Sequence, residues 1–138
     1  MKFYIQFALL FLLASGAFAE GQAHVTIFAF GGVGYAGVTS EGEKEFNRIY
    51  QREAPLEEFI EWYERGHNEE KTYCMTAFYE LDRNRYLRIK KQYQNEGIEI
   101  STMDGCLAGS EQLDTILKRI ESGRYEPYYN LEKLEHQN

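Results

Sequence analysis

Two cysteines offer the plainest chemistry in this chain of 138 residues. Cys74 and Cys106 are its only cysteines, so a single intramolecular pairing exists, closing a loop of 31 intervening residues. Redox pairs normally have the C-x-x-C spacing, and this separation is far too long for one. In an oxidising compartment paired thiols become disulfides, and a loop of this length gives a stabilisation of about 3–4 kcal/mol. The pair therefore predicts a structural disulfide if the protein is exported, with two buried free thiols as the alternative.

The N-terminal segment predicts that export. Met1-Lys2 supplies a positive start, residues 7–13 form an apolar run, and Ala17-Phe18-Ala19 has the A-x-A form of a cleavage site. This order is typical of a secretory signal peptide. A membrane anchor is disfavoured, because crossing a bilayer needs about 20 apolar residues. We expect residues 1–19 to be removed, leaving a single domain, residues 20–138, that is periplasmic or extracellular and free of the membrane.

A glycine motif suggests a second chemistry. Gly32, Gly34 and Gly37 follow a strand-like stretch in the G-x-G-x-x-G order of the dinucleotide-binding fingerprint. That fingerprint places its last glycine in the first turn of a helix and continues to a second strand. Here three residues intervene before the predicted helix, and Pro55 leads into another helix instead of a strand. We therefore predict no nucleotide cofactor and give the glycines a conformational role in a surface loop, which is a candidate contact surface.

Other catalytic and metal-binding patterns are weak. His24, His67 and His136 are scattered, and none has a second histidine or cysteine at ligand spacing, so the sequence predicts no metal site. No G-x-S-x-G elbow provides a serine nucleophile. Pairs of carboxylates are uninformative in a chain with 22 acidic residues. We predict no catalytic residue and no cofactor.

Charge and aromatic content point to a binding surface. The formal net charge is -7, and it becomes -8 when Lys2 leaves with the signal peptide. Such a chain lacks the positive patch of a nucleic-acid-binding protein and is not attracted to anionic membranes. A basic protein partner is favoured electrostatically, although solubility alone would also explain the charge. Tyrosine and tryptophan are enriched at interfaces, so Tyr35 and Trp62 are the candidate contacts, with packing in the core as the alternative.

A mainly helical framework must position these residues. Ser40 and Glu43 have the form of a capping box, so a first helix is predicted to begin near Glu41 and to end before Pro55. A second helix should run from Pro55 to Gly66. Its apolar stripe is the clearest in the chain and comprises Leu56, Phe59, Ile60 and Tyr63. Trp62 lies outside this stripe.

The following segment, residues 69–94, predicts either one helix or two. Asn68 is a suitable N-cap for its start, and Cys74 lies on the core-facing side of the pattern. Asp82 could cap a fresh helix. We favour a break near Asp82, because a single helix would be far longer than the mean of about 11–12 residues.

Two short segments have the composition of strands. Residues 24–30 are β-branched and aromatic, and residues 98–103 alternate apolar and polar side chains. We expect these two segments to pair. Asp104-Gly105 is predicted to form a turn that brings Cys106 to its partner.

The last helix is predicted to begin at a Ser110 cap and to end at Gly123. Residues 125–138 then form a tail that is either frayed or helical. Together the patterns predict a mainly α domain of four to five short helices in an antiparallel array, with one minor two-stranded β element.

The function that fits these observations best is a small exported, non-catalytic interaction protein. It would bind a protein partner through an acidic, aromatic-bearing surface, and an inhibitor or immunity-type role is one concrete version. Two other classes stay open: a cell-envelope or carbohydrate-acting hydrolase that uses Asp and Glu, and a structural envelope component. Converging carboxylates in a deep pocket would favour the hydrolase, and a convex acidic face would favour binding. The sequence leaves the partner and the oligomeric state open.

Overall fold

A computed structural model of the protein describes residues 23–130. The proposed signal peptide, His136 and the end of the C-terminal tail lie outside the described residues. The helices are α1 (Glu41–Tyr50), α2 (Pro55–Arg65), α3 (Asn68–Leu81), α4 (Arg83–Tyr93) and α5 (Leu113–Glu121). The strands are β1 (Gly32–Val33), β2 (Val38–Thr39), β3 (Glu99–Asp104) and β4 (Leu107–Gln112). The domain is mainly α, as predicted, and none of the helices in residues 23–130 is long and apolar enough to cross a membrane.

Local capping signals set the helix boundaries. The Ser40 Oγ accepts the backbone N–H of Glu43 at 3.1 Å, and α1 begins at the next residue, as predicted. Pro55 occupies the first position of α2. The predicted break near Asp82 is confirmed, because the Asp82 Oδ1 accepts the N–H of Arg85 at 3.1 Å and α4 starts there. The cap of α3 is His67 instead of Asn68.

The β pairing differs from the prediction. Strand β3 pairs with β4 in an antiparallel hairpin of six residue pairs, from Glu99 opposite Gln112 to Asp104 opposite Leu107. Residues 24–30 meet this hairpin at one bridge, Phe28 opposite Thr102. The predicted pairing of 24–30 with 98–103 is therefore wrong beyond that bridge, because the tight turn after Asp104 places the next six residues beside β3.

The same hairpin displaces the start of the last helix. Ser110 lies within β4 and does not cap α5, which begins at Leu113 after a Gln112 cap. The residues of β4 are Leu-Ala-Gly-Ser-Glu-Gln, a composition that is not enriched in β-branched side chains. This strand therefore depends on pairing with β3 and not on its own propensity.

The core is built around α3. Tyr73, Cys74, Ala77 and Phe78 of this helix are completely buried. A helix buried on most of its sides has no single apolar stripe, which explains its weak amphipathic pattern. The described start of the predicted tail is also packed, since Tyr129 is buried and the Phe30 and Tyr125 ring centroids lie 5.2 Å apart.

Candidate functional site

The glycine motif forms a tight hairpin that presents Tyr35 to solvent. Strand β1 pairs antiparallel with β2, with Gly32 opposite Thr39. Gly34 and Gly37 have φ angles of 70° and 61°, in the left-handed region that favours glycine. Tyr35 lies in the turn between them, and its side chain is fully exposed. The predicted conformational role of the glycines is confirmed.

This hairpin meets the β3–β4 hairpin side by side. The Gly34 N–H donates to the Gly105 carbonyl oxygen at 2.8 Å, and Val33 lies opposite Gly105 in a parallel bridge. Three large apolar side chains near this junction are exposed, and we call them the hairpin surface: Tyr35, Val38 and Leu107. Two hairpins joined by a backbone hydrogen bond therefore carry three apolar side chains that the fold leaves in water.

Trp62 does not belong to an exposed surface. It is 2% exposed, its ring centroid lies 5.9 Å from that of Tyr73, and its Nε1–H donates to the Glu70 Oε1 at 3.3 Å. The prediction that Trp62 is a surface contact is therefore wrong. The physical reason is that α2 turns Phe59 and Trp62 into the core, while Ile60 and Tyr63 of the predicted stripe are only half-buried.

The two cysteines are free in the structure. Cys74 is completely buried on α3, whereas Cys106 is exposed in the turn of the β3–β4 hairpin. The predicted Cys74–Cys106 disulfide is not formed here, because one thiol faces the core and the other is held at the surface. Burial raises the pKa of the Cys74 thiol well above its ordinary value.

We expect the native protein to carry one reactive thiol. Cys106 should alkylate readily, and Cys74 should react only after unfolding, because thiolate formation is suppressed in the core. Mass spectrometry after iodoacetamide treatment of non-reduced protein from its own host measures this directly. One label in the native state and two in denaturant agree with the structure. A chain that takes up no label in denaturant without reductant contains the disulfide that the sequence predicts.

Two histidines and a glutamate meet in the structure although the sequence separates them. His24 and Glu70 lie 46 positions apart, yet the His24 Nδ1 is 2.8 Å from the Glu70 Oε2. The ring of His67 stacks on that of His24, with centroids 3.7 Å apart. One potential ligand atom from each residue lies within 4.8 Å of the others. We call these three residues the histidine–glutamate cluster.

The expectation of no metal site rested on spacing along the chain, and the structure brings together three potential ligands that this spacing does not show. His67 and Glu70 share the first turn of α3, and only that H-x-x-E spacing is visible in the sequence. His24 reaches them through tertiary packing of the segment before Phe28. Imidazole nitrogens and a carboxylate are ligands that divalent transition metals accept.

The Glu70 carboxylate is the fixed centre of the cluster. Its Oε2 accepts the backbone N–H of His67 at 2.7 Å as well as the bond from His24, and its Oε1 accepts the N–H of Val25 at 3.2 Å and that of Trp62. Burial acts to raise the pKa of Glu70, but these donors outweigh it and hold the pKa below its ordinary value. A buried anion therefore lies beneath two exposed imidazoles.

A cavity of about 270 Å³ opens beside the cluster. Besides His24, Trp62 and Glu70, its lining includes charged side chains from α1 and α2: Glu41, Lys44, Glu45, Arg48 and Arg65. The Nε of Arg48 donates to Glu45 at 2.7 Å, and this bond lowers the pKa of the Glu45 carboxyl. A glycoside hydrolase needs one carboxyl held protonated as the general acid. Glu45 and Glu70 both have lowered pKa values, so this pair does not support the hydrolase.

No protein-family model matches the chain, and neither the curated proteins nor the solved structures contain a significant match to it. Its function is therefore inferred from its own residues. Among the solvent-facing features of residues 23–130, two are the candidates for function. One is the hairpin surface and the other is the histidine–glutamate cluster.

Proposed function

We propose that this protein is a small exported, non-catalytic interaction protein that binds a basic protein partner through the hairpin surface. The observation that carries the proposal is the complete exposure of Tyr35 at the tip of an ordered hairpin. A fully exposed tyrosine adds no buried area to its own fold. It does supply a large contact area with few rotatable bonds to a partner, which is why tyrosine is enriched at interface hot spots.

Backbone hydrogen bonds support the proposal by holding the hairpin surface in place. The Gly37 N–H donates to the Gly34 carbonyl oxygen at 3.2 Å and closes the turn that carries Tyr35. The bond from Gly34 to Gly105 ties this turn to the neighbouring hairpin, which carries Leu107. A preorganised surface loses less conformational entropy on binding, so more of the contact energy appears as affinity.

Negative charge supports the choice of a basic partner. The chain has a formal net charge of -7, and exposed Asp104 lies at the end of β3 beside the hairpin junction. Complementary charge accelerates association with a cationic protein and is screened by salt. An inhibitor or immunity-type protein directed against a basic enzyme is one version of this function.

Replacing both Tyr35 and Leu107 by alanine should abolish partner binding without unfolding the protein. Each is exposed, so the change in unfolding free energy should stay within about 0.5 kcal/mol, whereas loss of a tyrosine hot spot weakens binding by about 2 kcal/mol or more. The measurement is affinity capture by the mature protein from its own cell envelope, followed by titration of the captured partner.

The matched control is Leu87→Ala. Leu87 is 52% exposed on α4 and Leu107 is 78% exposed on β4, so the control removes a similar apolar side chain away from the hairpin surface. Capture that is equal for wild type, control and double variant would refute the hairpin surface. Capture of further copies of the same chain alone would favour a structural envelope component.

Sequencing the N-terminus of the exported protein tests cleavage after Ala19.

A further inference from the structure

We propose that the histidine–glutamate cluster is a binding site for one divalent transition-metal ion of the Zn²⁺ class. His24 and His67 supply imidazole nitrogens and Glu70 supplies a carboxylate oxygen. This site is independent of the hairpin surface and goes beyond the proposed interaction function. Three protein ligands leave the fourth position of a tetrahedral ion to water or to an external ligand.

The donor set selects the class of ion. Two imidazoles with one carboxylate suit zinc and its neighbours among the transition metals. Calcium and magnesium prefer sets made of oxygen ligands, so neither should compete effectively. The negative charge of ionised Glu70 favours a cation at this position. The four donors to its carboxylate are two backbone N–H groups, the indole of Trp62 and the imidazole of His24, and none of these is a lysine or arginine.

The distances require only a small closure. Zinc–nitrogen bonds of about 2.1 Å place the ligands of a tetrahedral ion roughly 3.4 Å apart. The three ligand atoms already lie within 4.8 Å of one another, and the His24 Nδ1 is 2.8 Å from the Glu70 Oε2. The two imidazole planes stack within 13° of parallel, so coordination requires one ring to rotate until its in-plane nitrogen lone pair points to the ion. Both histidines are exposed, and the His24 side chain retains 41% of its accessible surface, which leaves space for this rotation.

The fold tethers the ligands to the carboxylate before any ion arrives. Glu70 accepts the backbone N–H of His67 itself and that of Val25, the neighbour of His24. The Trp62 Nε1–H donates to the Oε1 of the same carboxylate. When the ion binds at the His24 Nδ1, it takes the place of the hydrogen between His24 and Glu70. A neutral imidazole then carries its one proton on Nε2, and an imidazolium releases one proton to solvent and keeps the other on Nε2. Since imidazole ligands must be neutral, affinity should fall as the pH falls.

The test uses tag-free protein and Zn²⁺ as the probe, with calorimetry and Trp62 emission as two readouts. Trp62 is the only tryptophan in the chain and bonds directly to Glu70, so its fluorescence reports on this site. The variants are His24→Asn and His67→Asn, because asparagine removes the imidazole and still serves as a helix N-cap at position 67. His136→Asn is the chemically matched control.

We expect one Zn²⁺ per chain and a saturable change in Trp62 emission. Affinity should drop at least tenfold in each of His24→Asn and His67→Asn and stay unchanged in His136→Asn. Circular dichroism of each variant establishes that it is folded. Wild-type affinity that does not fall between pH 7.5 and 5.5 would overturn the site even if a variant failed to fold. Equal Zn²⁺ affinity in all three variants, or no Zn²⁺ binding by the wild type, would also overturn the proposed site.

Discussion

Substituting Gly42 by alanine should lower the free energy of unfolding by about 3 kcal/mol. Gly42 is buried in α1, and a Cβ there would lie 2.2 Å from the Cε2 and 2.5 Å from the Cζ of Tyr73. The Tyr73 ring cannot withdraw easily. It is completely buried, and its hydroxyl accepts the N–H of Ala29 at 2.8 Å and donates to the Ala29 carbonyl oxygen at 2.7 Å.

The sign of the change in unfolding free energy shows whether the clash with Tyr73 or the higher helix propensity of alanine has the larger effect. Glycine to alanine in a helix normally stabilises by about 1 kcal/mol, so a loss of stability shows that packing against Tyr73 prevails. Gly109→Ala is the control, because a Cβ at Gly109 meets nothing within 4 Å. Urea denaturation followed by Trp62 fluorescence and circular dichroism measures both variants. A Gly42→Ala protein as stable as the wild type would contradict the close approach of α1 and α3.

Glu70→Ala should cost about 3–4 kcal/mol of unfolding free energy, measured in the presence of a chelator so that bound metal does not contribute. The Glu70 side chain is 6% exposed and accepts hydrogen bonds from four donors. Its removal leaves the N–H groups of Val25 and His67 and the Trp62 indole without their acceptor. It also frees the segment before Phe28 from the start of α3.

Glu80→Ala provides the comparison for this variant, since Glu80 is an exposed glutamate in the same helix. Its loss should change stability by no more than about 0.5 kcal/mol. If Glu70→Ala and Glu80→Ala were equally stable, the hydrogen bonds around Glu70 would not hold the N-terminal segment to α3.

The pH dependence of Glu70→Gln follows from the same contacts. The folded pKa of Glu70 lies below the ordinary carboxyl value of 4.5, so ionised Glu70 stabilises the fold above that value. This contribution is lost as the pH falls through the lower folded pKa. The advantage of wild type over Glu70→Gln should therefore be constant near neutral pH and shrink below pH 4.5. An advantage that grew on acidification would contradict the lowered pKa.

Local signals predicted most of the helical framework. Ser40, Pro55 and Asp82 act within about one helical turn, through a side-chain bond to a nearby N–H or through a fixed φ, so their neighbours in sequence suffice to place them. Strand β4 was not predicted, because its residues have little intrinsic strand propensity and pair only when the turn at Gly105 brings them to β3.

The candidate sites divide in the same way. The glycine motif and exposed Tyr35 were identified from sequence, because a turn that needs left-handed glycines is a local property of the backbone. For Trp62 the sequence left a surface contact and packing in the core both open, because the side of α2 that faces inward depends on how α2 packs against α3. The histidine–glutamate cluster could not be predicted from the spacing of its residues in the sequence, because His24 meets His67 and Glu70 only through a tertiary contact.

The sequence by itself determined where α1, α2 and α4 begin, which turn needs glycine, and the acidic net charge. Only the tertiary structure decided which side chains share a site. It placed Cys74 in the core and Cys106 at a hairpin turn, and it brought His24 to Glu70. The physical reason is range: capping and turn preferences act over a few residues, whereas burial and ligand geometry depend on segments that meet only when the core is packed.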